Sequence, residues 1–134
     1  MNNLLQEIRG ALGAEKPLSE VLFDRELSSL GDSLLNFAYS LATTLSRGRP
    51  SGMRMPNSVL VEVAEVSGLR RLLPKRVTRK QRADAVESLL AYAWIRGLVR
   101  MEQLVNELKT CVEKPSEALT PMVRGILEEL VDEN

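Results

Sequence analysis

The sequence predicts an all-α protein, and three observations carry that reading. Apolar residues recur at steps of three and four through most of the chain, no segment alternates in the manner of a strand, and aromatics make up only 4% of a chain that is 44% apolar. Leucine, valine and alanine must therefore fill the core, a palette that favours helices. At 134 residues the chain is long enough for one domain with a proper core and short for two, so residues 1–134 are expected to form a single domain of about six helices.

Leu4, Leu5, Ile8 and Leu12 outline a first helix ending near Gly10 or Gly13. The second carries Leu27, Leu30, Leu34, Phe37, Leu41 and Leu45 as one apolar stripe. RGRPSGMRMP, with two glycines and two prolines, reads as a loop. Asn57 or Ser58 can cap a third helix with Val59, Leu60, Val63 and Val66 inward and a stop at Gly68, followed by a basic connector from Arg70 to Arg82 broken by Pro74. The fourth helix runs from about Gln81 to Ile95 on a stripe of Val86, Leu89, Leu90, Ala93 and Trp94, with Gly97 ending it. Leu98, Met101, Leu104, Val105 and Leu108 give a fifth, and Thr120-Pro121 has the form that opens a sixth.

Composition narrows the chemistry. The chain has no histidine and a lone Cys111, which leaves zinc almost without ligands and removes every Ser-His or Cys-His nucleophile. Hydrolytic chemistry here must run on carboxylates, with an oxygen-seeking cation such as magnesium or manganese. No run of apolar residues is long enough for a membrane span, and MNNLLQEIRG lacks the layout of a signal peptide, so the expected location is the cytoplasm. Net charge is zero, but ten basic residues against two acids lie between Arg47 and Arg82, while residues 83–134 hold ten acids against five basics. The basic island can take a polyanion although the whole chain is neutral.

Gly31 and Asp32 are the anomaly. Glycine in a helix interior costs about 1 kcal/mol against alanine, and aspartate about half that. Asp32 lies nearly opposite the leucine stripe, on a face with Arg25, Ser28, Asn36 and Tyr39, where it is either a solvated side chain, the N-cap of a helix from Ser33 to Leu45, or a functional carboxylate. Asp84 and Glu87, three apart, project together from the edge of the fourth helix, where two like charges repel unless paired with basic neighbours or bridged by a cation. Three carboxylates on two helices beside a basic island are the elements of a metal-dependent phosphodiesterase, in which a cation held by few carboxylates keeps waters available for activation.

LGDSLL at 30–35, Asn57 opening NSVLVEVAEVSGL, and ADAVESLLA at 83–91 resemble, in order and spacing, the nuclease domain of ribonuclease III, most closely the compact archaeal proteins without a double-stranded RNA-binding domain. The resemblance is strongest over residues 20–97 and implies an all-helical, homodimeric endoribonuclease that cleaves double-stranded or structured RNA with magnesium. It implies catalytic and metal-binding roles for Asp32, Asp84 and Glu87, with Glu87 the chief ligand, phosphate contacts from Lys75, Arg76, Arg79 and Lys80, and a supporting role for Asn57. Two signature glutamates of the family fall at Arg25 and Ser28 here, which implies a reduced ligand set. Two other readings follow from the residues: an RNA-binding protein of the same fold that does not cut, favoured by Arg25 and Ser28, and a helix-turn-helix DNA-binding protein built on VEVAEVSGLRRLL.

Overall fold

Asp24, not Asp32, begins the long helix that organises the molecule. Its backbone is extended, and its carboxylate accepts the Leu27 N–H at 3.0 Å and the Lys16 ammonium at 2.8 Å. The Lys16 hydrogen bond first, then the Leu27 N–H, hold its carboxyl below the usual carboxylate range. Gly31 and Asp32 thus lie mid-helix, and the N-cap reading of Asp32 is corrected.

The computed structural model describes residues 2–133. Among them lie seven α-helices and one 3-10 turn: α1 (Asn2–Leu12), α2 (Leu18–Val21), α3 (Arg25–Arg47), α4 (Asn57–Ser67), the turn Leu69–Leu72, α5 (Arg79–Ile95), α6 (Met101–Lys109) and α7 (Ser116–Glu133). No strand occurs among the described residues, in keeping with the expected fold class. The short α2, too brief for a periodic signal, is the helix the sequence did not disclose. None of the helices is long and apolar enough to cross a membrane.

The central element is α5, with α3 across one side and α4 across the other; α6 packs on α3 and α7 on α4. Its central position explains why the expected stripe is wrong in kind. From Ala83 to Ala93 every residue but Asp84 is buried, with no apolar side to speak of, whereas Trp94, assigned inward, is only half-buried. The helix also starts earlier than expected. Thr78 accepts the Gln81 N–H at 3.0 Å while Gln81 returns its side-chain oxygen to the Thr78 N–H at 2.9 Å, a capping box that brings Arg79 and Lys80 into α5.

On α3 the residues against the core are Gly31, Leu35, Ala38, Tyr39, Ala42 and Thr43. The leucine stripe read from the sequence is a second face: Leu30, Leu34 and Leu41 are half-buried, and Phe37 and Leu45 are 57% and 56% exposed. Small residues on the inner face let α3 and α5 pack closely, while of the stripe that dominates the periodicity Leu27 and Leu41 pack at the core's edge and Phe37 and Leu45 point outward.

Other boundaries shift for local reasons. Pro56 rather than Asn57 or Ser58 is the N-cap of α4, with no side-chain cap bond, and Val66 is exposed while Leu60, Val61, Val63 and Ala64 are buried. Gly48 and Gly68 end α3 and α4 in the left-handed conformation, at φ 73° and 96°. α7 opens at Ser116, where the Ala118 and Leu119 N–H groups bond the Pro115 carbonyl, so Pro121 lies inside the helix instead of starting it.

The RGRPSGMRMP loop is an ordered strap laid along α3. Ser51, Met53 and Met55 face the helix, while Gly52, Arg54 and Pro56 face outward. The Ser51 N–H bonds Thr44 Oγ1 at 3.0 Å, the Met53 N–H bonds Ser40 Oγ at 2.8 Å, and the Met55 N–H bonds Asn36 Oδ1 at 2.7 Å. Polar residues one helical turn apart therefore meet alternate residues of an extended chain, since a turn of helix and two residues of strand are both about 5–7 Å.

Candidate functional site

At Gly31 the backbones of α3 and α5 approach closely. A Cβ built there would lie 1.9 Å from the Glu87 carbonyl oxygen, so no side chain fits and the two backbones are in contact. Glycine at this one place is what sets Asp32, the next residue, beside Glu87 across the crossing.

Beyond this contact opens a cavity of about 620 Å3 lined by Leu22, Phe23, Asp24, Arg25, Ser28, Ser29, Asp32, Asn57, Lys80, Gln81, Asp84 and Glu87. It gathers Asp32, Asp84, Glu87, Ser28, Asn57 and Lys80 from three separate helices, α3, α4 and α5. Lys75, Arg76 and Arg79 are exposed and lie outside its lining. Phe23, Arg25 and Gln81 are also in the wall; Arg25 was legible on the Asp32 face, whereas Phe23 precedes the helix and carries no periodic signal.

Glu87 is the least accessible of the carboxylates, at 6% exposure. Burial, then a hydrogen bond with Asp32 and the charges of Asp32 and Asp84, pushes its carboxyl up to about 8, with Lys80 pulling the other way. Such a group keeps its proton near neutral pH until a cation takes the place of that proton. Asp84 accepts the Lys80 ammonium at 3.1 Å, one helical turn before it on α5. Asp32 Oδ1 accepts from Asn36 Nδ2 at 3.3 Å. Asn36, named from the sequence only as a neighbour on the same face, is a contributor that sequence reasoning passed over.

The donors suit a hard cation: all are oxygens, one is buried and raised by like charges, and the cavity is open to water. Among the described residues no three carboxylates are drawn into a ready-made ligand cluster. A cation at this place would be held by one or two of them with water completing its shell, the manner in which magnesium is commonly held.

The basic island divides by use. Arg70 folds back onto the carbonyls of Pro74 and Lys75 at 3.1 and 2.8 Å and closes its own loop, and Arg82 pairs with Glu65 at 2.8 Å. Arg71, Lys75, Arg76 and Arg79 remain exposed.

The sequence pattern described as ribonuclease III matches residues 25–127, a span that contains every carboxylate of the cavity except Asp24. No curated protein matches the chain.

Proposed function

Because the chain belongs to the ribonuclease III family, we propose that it is a magnesium-dependent endoribonuclease acting on double-stranded or structured RNA in the cytoplasm, as a homodimer. The observation that carries this reading is the crossing of α3 and α5, where Gly31 admits the Glu87 backbone and Asp32, Asp84 and Glu87 share one cavity.

Asp32 and Glu87 would hold the cation, magnesium or manganese, with Asp84 released from Lys80 to join them or to orient water. The cation, when bound, supplies water activation and offsets the charge that develops on the phosphate. The chain's own residues do the rest. Glu87 gives up its proton as the cation enters, Ser28 and Asn57 offer neutral hydrogen bonds to the substrate at the wall, and Lys75, Arg76, Arg79 and Lys80 contact the backbone of the duplex by charge and shape. Asp84 and Lys80 form a pair that can open, with Lys80 turning to a phosphate oxygen.

The homodimer is supported by α3's second face, where Phe37 and Leu45 are more than half exposed and Leu30 and Leu34 are half-buried beside them. Arg25 favours one alternative, a protein of the same fold that binds RNA without cutting, since it sets a guanidinium in the wall among the carboxylates.

The test is incubation of the protein with a long RNA duplex, with and without magnesium, beside Asp32→Asn and Glu87→Gln. Cleavage that needs magnesium and is lost in both variants is expected. Binding without cleavage would overturn the enzyme reading in favour of the RNA-binding protein, and a preference for a particular DNA sequence would overturn both.

A further inference from the structure

Asn36 stands between the strap and the cavity, and its two hydrogen bonds fix which way it faces. The Met55 N–H, 2.7 Å away, can only donate, so the amide oxygen must turn to it and the amide nitrogen to Asp32 Oδ1 at 3.3 Å. We propose that Asn36 is a positioning residue for Asp32: held by the strap through its oxygen, it donates to Asp32 and fixes the carboxylate in the orientation that meets a divalent cation.

Three features converge on this role. Asn36 is one turn beyond Asp32 on α3, the spacing at which side chains of a helix meet. It is the last rung of a ladder whose other rungs, Ser40 to Met53 and Thr44 to Ser51, have no contact with the cavity. The strap then continues directly into Asn57, a cavity wall residue, so its seating on α3 registers both Asp32 and Asn57. Once a cation displaces the proton that Glu87 shares with Asp32, Asn36 is the side chain left to orient Asp32, and without it the lone pairs facing the cavity would be lost to other orientations. The neighbours of ligating carboxylates act in this way generally, and their loss lowers cation affinity by about 10–100-fold.

The inference rests on the nuclease reading, and its test separates the two. Manganese binding by the RNA-free protein is measured by titration calorimetry for the wild type, Asn36→Ala and Ser40→Ala, with duplex cleavage followed in parallel. Expected are a loss of about 10-fold or more in manganese affinity for Asn36→Ala, a fall in kcat with KM for the duplex little changed, and wild-type affinity in Ser40→Ala, which loosens the same strap without touching Asp32. If Asn36→Ala does not fold, Asn36→Ser, too short to span both partners, gives the same comparison. Wild-type affinity in the Asn36 variants would overturn the inference and leave the nuclease reading standing, and equal weakening in Ser40→Ala would reduce Asn36 to a strap anchor. A wild-type protein that binds no manganese would remove the nuclease reading and this inference with it.

Discussion

The inner and outer faces of α3 are built on opposite plans. Inward, Gly31, Ala38 and Ala42 are small and wholly enclosed, and at Gly31 there is no room even for a methyl group. Outward, Phe37 and Leu45 are large, apolar and exposed, with Leu30 and Leu34 half-buried beside them, while on a third side the polar Asn36, Ser40 and Thr44 bond the strap. The difference teaches that the inner face sets the site, whereas the outer face is the one on which the proposed homodimer would rest.

The largest effect should come from filling the inner face. Gly31→Val places branched carbons into the Glu87 backbone and should cost roughly 4 kcal/mol or more, or prevent folding, as read by denaturant unfolding. On the outer face Phe37→Asp should leave the helical content and the cavity intact but convert a dimer to a monomer in sedimentation, with a loss of about 2 kcal/mol or more in association. A Phe37→Asp protein that unfolds as Gly31→Val does would erase the distinction between the faces.

Glu87 sharpens the same contrast through pH. Its folded carboxyl, raised from 4.5 to about 8, binds a proton more tightly than the unfolded chain does. That contribution is fully present below pH 4.5 and is lost as pH rises through about 8, so the cation-free protein should become less stable across that window, by on the order of a few kcal/mol. Glu87→Gln, which cannot ionise, should flatten the slope, and magnesium should raise the melting temperature more at pH 8 than at pH 5. Smallest is the far rung of the strap: Thr44→Ala removes a bond at 3.0 Å from Ser51 and should cost about 1 kcal/mol with no change in cation affinity.

Fold class and the placement of Asp32, Asp84 and Glu87 in one cavity were legible because they reside in local patterns, periods of three and four and the spacing of Asp84 and Glu87, whereas Asp24, also in the lining, precedes the helix and was not. Helix faces were less so. On α3 the leucines dominate any reading by hydrophobicity, yet glycine and alanine decide the packing, since close approach depends on what is absent from a side chain. On α5 there is no stripe to find, because a helix enclosed on all sides is selected for fit and not for contrast. The strap was hidden by its prolines and glycines, which announce irregular backbone but say nothing of the three helical side chains waiting to bond it. Asn36 was hidden with it, as its role depends on a residue nineteen positions away in the chain.

The most direct measurement is the anomalous scattering of manganese in a crystal of the wild-type protein. The account predicts a peak in the cavity within bonding distance of the Asp32 and Glu87 carboxylates. A cavity without manganese at concentrations that support cleavage, or manganese bound elsewhere on the protein, would contradict it.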